Sequence, residues 1–286
     1  MTSNKLKLIA FSLVLLVACV AVHPQMDGGG SAKKVRIQEG LGQTWKGPSS
    51  SLIERLLKKK ASGGTVLTAG GRPKPVSPPP ARAVPVNASV IFRPGKSPGV
   101  DTALATAFAT NPTEKQALLQ LFEQVRKGYE TEVAKEGKSN NLAAAMTFFI
   151  ASNVVAYHRT DLPSDEMTED LFITLRDLMI SAPEMSKLTN TEKQQMHDWL
   201  VYMGGFVLAG YLDAKENNDA ESLDNYRSIA NASTKIVLGV DVSQLTFSSS
   251  GLTVSGGSVA LMQQSPSFEL LTDFNVTTSF QIAPRF

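Results

Sequence analysis

The sequence predicts an all-α protein: an antiparallel bundle of about five helices with an apolar helix at its centre. Three observations support this fold class. An uncharged run of sixteen residues extends from Leu142 to Tyr157, between Lys138 and Arg159. Several flanking segments repeat apolar residues at three- and four-residue steps, which is the spacing of one helix face. Short polar stretches join these segments, and short connections favour neighbouring antiparallel helices.

The first residues have the form of an export signal. Lys5 and Lys7 precede an uncharged run over residues 8–18, in the order of the charged and apolar regions of a secretory signal. At residues 16–19 the sequence LVAC is similar to the bacterial lipobox, in which the cysteine receives the lipid. Residues 1–21 are therefore predicted to be a signal peptide or a lipoprotein signal.

Cys19 is the predicted lipidation site, and it is the only cysteine in the chain. A single cysteine leaves no possible intramolecular disulfide. The alternative is ordinary cleavage after Ala21 in a site of small residues. Either way we expect export to the periplasm or cell envelope, lipid-anchored through Cys19 or otherwise secreted.

Residues 22–96 are predicted to be a flexible basic leader. Residues 33–96 contain thirteen Lys or Arg against two Glu, a net charge of +11, whereas residues 97–286 contain thirteen against twenty-three acids, a net charge of −10. Six prolines between Arg72 and Pro85 favour an extended spacer without a core of its own. A short helical pattern is present at residues 51–60. The leader suits an anionic membrane surface, but without interleaved aromatic residues it does not suit nucleic acid.

Residues 97–240 form the predicted helical domain, and its first clear helix begins at Asn111. Asn111 is a capping residue, Pro112 suits the first helical position, and Glu114 follows at the third. One apolar stripe then comprises Leu118, Leu121, Phe122, Val125, Tyr129 and Val133. The helix should end near Gly137, and the central helix should begin after Asn140 or Asn141.

Three further helices follow the central one. Ser164 caps the third, with buried positions at Met167, Leu171, Leu175 and Leu178. Thr189 and Glu192 form a capping box for the fourth. Its interior glycines at 204, 205 and 210 predict close crossing by the alanine-rich central helix. The fifth helix carries Leu223, Tyr226, Ala230, Ser233 and Val237 and stops at Gly239.

Residues 241–286 are a Ser/Thr/Gly-rich tail that can begin with a β-hairpin. Its strands are predicted at residues 244–247 and 251–255, across Ser248-Ser249-Ser250. The tail continues for about thirty further residues with scattered aromatic side chains. A single strand-like stretch at its end does not predict a membrane barrel, whose segments must recur along the chain.

No motif in the sequence identifies a reaction. The three histidines, His23, His158 and His197, lack the spacing of a zinc site, although His158 can meet Asp161, and His197 can meet Glu192 or Asp198. An acidic cluster begins the third helix and comprises Asp165, Glu166, Glu169 and Asp170. It suits the positive end of the helix dipole and lacks the ligand spacing of a calcium loop. We therefore expect no catalytic residue, metal or cofactor.

Several short stretches together resemble a known family. They are Phe92-Arg93-Pro94, residues 123–129, the Asn-led alanine-rich helix, Gly210-Tyr211, Gly239-Val240-Asp241, Leu245 and Gly251-Leu252. Over about residues 91–254 the chain resembles an uncharacterised family of exported bacterial proteins, a domain of unknown function. The resemblance implies a helical fold and assigns no site residues. The proline-rich leader and the tail after Ser255 depart from the family pattern.

Three functional hypotheses follow. The leading one is a non-enzymatic envelope protein, a bundle tethered by the basic spacer and presenting a surface to an unknown envelope protein. The second is a membrane-active protein that inserts residues 142–157 and 199–212, although both stretches are shorter than the about 20 residues that a span needs. The third is a hydrolase with a site assembled from scattered residues.

Overall fold

The structure is a computed structural model that describes residues 37, 39–47, 90–248 and 251–254. From residue 90 to residue 254 the described chain is mostly helical. Its helices are α1 (Val100–Phe108), α2 (Pro112–Ala134), α3 (Leu142–His158), α4 (Asp165–Ser181), α5 (Pro183–Lys187), α6 (Asn190–Glu216) and α7 (Ala220–Leu238). A 3-10 turn (Val242–Gln244) leads into an antiparallel pair of strands, β1 (Leu245–Ser248) and β2 (Gly251–Val254). The predicted all-α fold class with a small β element is confirmed.

Helix α3 is the centre of the bundle. Every residue from Leu142 to Ala156 is buried, because α6, α7 and α4 surround the helix together with the 3-10 turn and β1. An apolar sequence on all faces suits this position, since a buried helix has no solvent side. Asn141 begins the helix: its side-chain oxygen accepts hydrogen bonds from the backbone N–H groups of Ala143 (2.9 Å) and Ala144 (3.3 Å). The predicted central helix is confirmed.

The glycines of α6 allow three different helices to approach it closely. A Cβ atom at Gly204 would lie 3.1 Å from the Phe149 Cα of α3. At Gly205 it would overlap the Val125 side chain of α2, and at Gly210 the Tyr226 ring of α7. The predicted crossing by the central helix therefore accounts for Gly204, whereas the other two glycines make room for side chains of other helices.

The predicted helix starts are present in the structure. The Asn111 side chain accepts from the Glu114 N–H, and the Ser164 side chain accepts from the Met167 N–H. Thr189 and Glu192 form the predicted capping box. Two helices were not predicted. Helix α1 follows Gly99 without a side-chain cap, so its start carries no capping signal. Helix α5 has only five residues and begins at a proline that follows α4 directly.

Part of the segment assigned to the leader packs on the bundle. Residues 39–44 are helical, and Ile37 and Leu41 are fully buried. The ring of Trp45 meets the ring of Trp199 edge to face, with centroids 4.9 Å apart. The Trp199 indole N–H donates to the Thr44 hydroxyl oxygen at 3.1 Å. The sequence analysis missed this contact because its partners are about 155 residues apart in the chain.

The segment just before α1 runs along the starts of α3 and α6. Leu142 N–H donates to the Val90 carbonyl, and Phe92 N–H donates to the Asn140 carbonyl. Farther along, the Gly95 N–H donates to the Gln194 side-chain oxygen at 2.8 Å. The Leu142 N–H is one of the backbone donors that a helix N-terminus leaves without an internal partner, and the Val90 carbonyl satisfies it.

The predicted hairpin is confirmed, with β1 paired to β2 in the register Leu245↔Val254. Leu245 and Leu252 are buried against the bundle. The predicted helix at residues 51–60, the signal at residues 1–21 and the tail after residue 254 lie outside the described residues.

The two stretches considered for membrane insertion belong to α3 and α6, whose mutual contact is the most extensive between any two described elements. Within the described residues, no helix combines the length and the hydropathy that crossing a membrane requires.

Replacement of Gly205 by alanine tests the close approach of α2 and α6. Overpacking against Val125 costs about 1–3 kcal/mol, more than the up to about 1 kcal/mol that alanine gains as a helix former. We expect Gly205→Ala to lower the free energy of unfolding by roughly 1 kcal/mol or more, measured by urea denaturation followed by circular dichroism. Gly42→Ala is the control, because residue 42 is helical and a Cβ there meets nothing within 4 Å. Equal free energies of unfolding for Gly205→Ala and Gly42→Ala would contradict the close packing of Val125 against Gly205.

Candidate functional site

A cavity of about 350 Å³ opens where the end of α2 meets the beginnings of α3 and α4. Small-molecule sites in proteins occupy about 300–1,000 Å³, so this cavity suits a small ligand. Its lining combines charged, hydroxyl-bearing and aromatic side chains. The lining residues are Tyr129, Glu132, Val133, Glu136, Lys138, Ala144, Thr147, Phe148, Asp165, Glu166, Thr168, Glu169 and Phe172.

The charges of this cavity are predominantly negative. Five carboxylates and one ammonium line it, which leaves a formal charge of −4 when all six groups are ionised. The carboxylates belong to two groups: Glu132 and Glu136 at the end of α2, and Asp165, Glu166 and Glu169 at the start of α4. Helix α3 contributes Ala144, Thr147 and Phe148 to the lining.

The helix dipole accounts for only one of the two carboxylate groups. Carboxylates stabilise a helix at its N-terminus and destabilise it at its C-terminus. Asp165 and Glu166 occupy the favourable first turn of α4. Glu132 lies in the last turn of α2, and Glu136 follows two residues after the helix ends. The acidic residues at the end of α2 are instead paired with lysines: Glu132 with Lys135 at 2.7 Å and Glu136 with Lys138 at 2.8 Å.

Lys138 connects the two carboxylate groups of the cavity. Gly137, in the left-handed conformation with φ 67°, ends α2 and turns the chain so that Lys138 follows. The Lys138 ammonium pairs with Glu136 at 2.8 Å and with Glu169, and it lies 4.3 Å from the centroid of the Phe172 ring. Burial by itself lowers the pKa of Lys138, but hydrogen bonds and charges from Glu136 and Glu169 outweigh it and raise the pKa. Lys138 therefore stays charged.

The neutral polar groups of the cavity also present acceptors. The Thr147 hydroxyl donates to the Ala143 carbonyl at 2.8 Å. The Thr168 hydroxyl donates to the Asp165 carbonyl at 2.9 Å or the Ser164 carbonyl at 3.2 Å. A hydroxyl has one donor and two acceptor lone pairs, so these oxygens can still accept hydrogen bonds.

Tyr129 lines the cavity and is 1% exposed. Among the described residues, no hydrogen-bond partner exists for its hydroxyl group. Burial raises the pKa of Tyr129 well above 10, and the charges of Glu130 and Glu136 raise it further, so the hydroxyl remains protonated. A buried polar group without a partner is costly, so the Tyr129 hydroxyl lowers the stability of the fold.

His197 lies behind Tyr129, and their ring centroids are 5.6 Å apart. Its Nδ1 atom is 3.1 Å from the Asp198 carboxylate, and its Nε2 atom is 3.4 Å from the Glu130 carboxylate. The ring of Phe92 covers it, with centroids 5.0 Å apart, and His197 is only 2% exposed. The cluster is a buried polar arrangement in contact with the ring of Tyr129.

In two of the histidine–carboxylate pairs considered from the sequence, His158 with Asp161 and His197 with Glu192, the residues bond to other partners. Asp161 pairs with Lys215 at 3.4 Å, and the His158 ring bonds to the Leu245 carbonyl at 2.8 Å. Glu192 belongs to the capping box, whereas the His197–Asp198 pair is present. Within the described ranges, no hydroxyl group hydrogen-bonds to His158 or His197. Cys19, the predicted lipidation site, and His23 lie outside these ranges.

Some of the cavity-lining residues had been singled out from the sequence. Asp165, Glu166 and Glu169 of the acidic cluster line it, but Asp170 does not. The sequence analysis missed Glu132, Glu136 and Lys138. One signal could have found them: acidic residues at a helix C-terminus oppose the dipole and therefore indicate a specific partner, here Lys135 for Glu132 and Lys138 for Glu136. Among the described residues, no group of three or more His, Cys, Asp or Glu side chains is arranged to hold a metal ion.

The comparisons with known proteins identify a family. A family model described as a family of unknown function, DUF6683, matches residues 58–255, which is more than half of the 286-residue chain. The chain belongs to the DUF6683 family. This match agrees with the resemblance drawn from about residues 91–254, and it begins earlier, within the basic leader. No curated protein and no solved structure matches this DUF6683 member.

The pH dependence of stability tests the buried environment of Glu130 beside this site. Burial raises the pKa of Glu130; His197 opposes this shift and Asp198 adds to it. Because the folded pKa lies above the ordinary 4.5, the stabilisation by Glu130 is fully present below 4.5 and is lost as the pH rises through the folded pKa. Glu130→Gln should therefore gain stability relative to the wild type as the pH rises above 4.5.

Glu123→Gln on the same helix is the matched control. A hydrogen bond and the charge of Lys127 lower the pKa of Glu123, so its stabilising contribution is lost as the pH falls. Relative to the wild type, this variant should lose stability as the pH rises. Urea denaturation at several pH values measures both differences. If both variants gain stability relative to the wild type as the pH rises, or both lose it, the buried environment assigned to Glu130 is contradicted.

Proposed function

We propose that this DUF6683 protein is a non-enzymatic binding module of the bacterial cell envelope, and that its acidic cavity captures ligands with cationic N–H groups. The observation that carries the proposal is the polarity of the cavity wall. Carboxylates and hydroxyl oxygens accept hydrogen bonds there, and the Lys138 ammonium is already engaged with Glu136 and Glu169. A ligand that donates hydrogen bonds and carries positive charge complements such a wall.

The aromatic residues add a second preference for cations. Phe148 and Phe172 line the cavity, and the Phe172 ring already accommodates one ammonium group, that of Lys138. A cation near an aromatic face gains about 0.5–2 kcal/mol, with the larger values where water is excluded. An anionic ligand gains neither this attraction nor that of the carboxylates. The cavity therefore selects by charge.

Two further features support a binding role over catalysis. The described histidines bond to a backbone carbonyl or to carboxylates and carry no hydroxyl that they could activate as a nucleophile. The acidic cavity lies where α2, α3 and α4 meet, and the α3 residues that line it are buried. A preformed site loses little conformational entropy when it binds.

The envelope location rests on the sequence. The first 21 residues have the pattern of an export signal, with Cys19 as the candidate lipid acceptor. The basic, proline-rich leader suits a tether beside an anionic membrane surface, at about 1 kcal/mol for each base near the surface. In this arrangement the leader attaches the protein, and the acidic bundle binds the ligand.

The binding proposal is tested with small organic ions of matched size. We expect butylammonium, diaminobutane or methylguanidinium to cause saturable shifts of the Ala144 and Thr147 amide resonances in NMR spectra, because both residues line the cavity. Butyrate, which has the same chain length and the opposite charge, should cause none. Added salt should weaken the binding, since part of the cavity is open to solvent.

Saturable shifts from butyrate, or shifts from the cations confined to residues outside the cavity, would contradict the proposal. The Ser228 amide on α7 is a suitable reference, because Ser228 does not line the cavity. Failure of all three cations to produce saturable shifts would overturn the proposed function.

Replacement of Cys19 tests the envelope location. In fractionated bacterial cells we expect the wild type in the membrane fraction with a fatty-acid label, and Cys19→Ser unlabelled in the soluble exported fraction. An unlabelled wild type that begins after Ala21 would support ordinary cleavage instead. Retention of both proteins in the cytoplasm would contradict export.

A further inference from the structure

We infer that the bundle holds part of its own leader as a noncovalent anchor. The anchor segment comprises Ile37 and residues 39–45, and its contacts are strong enough to persist when the chain that joins it to the bundle is cut. The surface that receives it belongs to α1 and α6. Neither helix lines the acidic cavity, so the anchor is independent of the ligand proposed there.

The anchor segment buries one face of a helix. Its buried and half-buried positions follow the spacing i, i+3, i+4 and i+7 and are Ile37, Gly40, Leu41 and Thr44. The side chains of Glu39 and Gln43 are exposed. Amphipathic helices that dock on a partner protein use the same spacing for their anchoring residues. The segment therefore has the pattern of a docked helix and not that of a spacer.

Trp199 of α6 receives the end of the anchor segment. Its indole N–H donates to the Thr44 hydroxyl oxygen at 3.1 Å, and its ring contacts the Trp45 ring with centroids 4.9 Å apart. The Thr44 hydroxyl in turn donates to the Gly40 carbonyl at 2.8 Å. Loss of the segment would remove this hydrogen-bond partner and uncover Trp199, which is 1% exposed. Such a loss is costly for a large buried aromatic side chain.

Gly40 brings the anchor segment against α1. A Cβ atom at residue 40 would lie 2.6 Å from the Ala107 Cβ atom, which is too close for two carbon atoms, so the approach requires glycine. The segment therefore contacts two helices of the bundle at once. Ile37 and Leu41 are removed from water by this docking, which supplies its driving force.

The docked segment divides the leader. Residues 48–89 lie outside the described ranges and connect the anchor segment to Val90. Val90 is itself buried, and its carbonyl accepts from the Leu142 N–H of α3. Both ends of this stretch are therefore held by the bundle. The N-terminal part of the leader is attached to the bundle at residue 37, well before residue 90.

This attachment shortens the tether in the proposed lipid-anchored arrangement. Ile37 lies 18 residues after Cys19, whereas Val90 lies 71 residues after it. Fully extended, these stretches would span about 60 Å and about 240 Å. Docking therefore keeps the bundle close to the membrane. The shorter tether rests on the proposed location, whereas the docking itself does not.

The anchor is tested by cutting the chain after it. A recognition sequence for a site-specific protease is inserted between Gly63 and Gly64 of the full chain, and the protein is held on a resin through a C-terminal tag. We expect the N-terminal fragment to stay on the resin through washing and to leave only in denaturant, as measured by mass spectrometry. Release of the fragment in buffer would overturn the inference.

Two variants of the anchor segment test the assigned face. Leu41→Ala removes buried apolar atoms, whereas Gln43→Ala changes an exposed side chain on the same helical turn. We expect Leu41→Ala to speed release of the cut fragment at least about tenfold and Gln43→Ala to leave the rate within about twofold. Equal release rates for the two variants would overturn the docked face.

A pair of substitutions tests the contact with α1. Gly40→Ala places a Cβ atom against that of Ala107 and should speed release of the fragment. Ala107→Gly removes the opposing Cβ atom. The double variant should therefore retain the fragment about as well as Ala107→Gly alone. If the double variant releases the fragment as fast as Gly40→Ala, the contact with α1 is wrong.

Fluorescence shows whether the bundle stays folded when the anchor leaves. Trp45 and Trp199 are the two tryptophans of the chain. When the fragment leaves cut Leu41→Ala, we expect the Trp199 emission of the bundle to move to longer wavelength while the helical circular dichroism signal persists. Loss of the helical signal at the same step would make the segment part of the core and overturn its role as a separable anchor.

Membrane fractions extend the test to the proposed location. After cleavage in membranes from cells that make the cleavable protein, the bundle should stay with the membrane, and it should be released in the Leu41→Ala variant. Release of the wild-type bundle on cleavage would overturn the anchor. If the uncut protein is absent from the membrane fraction, the proposed location fails, and the resin experiment still decides whether the anchor holds.

Discussion

The complete burial of α3 is the constraint on which the rest of the structure depends. Residues Leu142 to Ala156 have no solvent-exposed face, so other helices must cover the helix on every side. Gly204 lets α6 approach the α3 backbone, and the Asn153 side chain bonds both to the Phe149 carbonyl and to Ser233 of α7. Apolar contact supplies the driving force, and these small and polar residues fix which helix lies where.

The position of the cavity follows from how α3 begins. The chain leaves α2 through Gly137 and enters α3 at the Asn141 cap, a connection of only seven residues. This short turn places the acidic end of α2 beside the start of α3. Helix α4 begins beside the same place, and the Lys138 ammonium joins it to α2. The acidic end of α2 and the acidic start of α4 therefore meet at the Lys138 ammonium, which offsets their mutual repulsion.

Local signals in the sequence were sufficient for much of the fold. The capping residues Asn111, Ser164 and Thr189 mark the starts of their helices. The uncharged run identifies α3 as buried. Helix α1 has no such cap, and the contact of Trp45 with Trp199 joins residues that are distant in sequence. The acidic start of α4 was visible, but its meeting with Glu132 and Glu136 depends on tertiary packing. Nothing in the sequence distinguished Tyr129 from the other residues of its apolar stripe.

The most direct test of the central claim, that the cavity beside α3 is the ligand site, is a map of the bound cation by intermolecular nuclear Overhauser effects. The account predicts contacts from the methylene protons of diaminobutane to the Ala144 methyl group and the Phe148 ring, both of which line the cavity. Contacts only to side chains outside the cavity, such as those of α7, would contradict it.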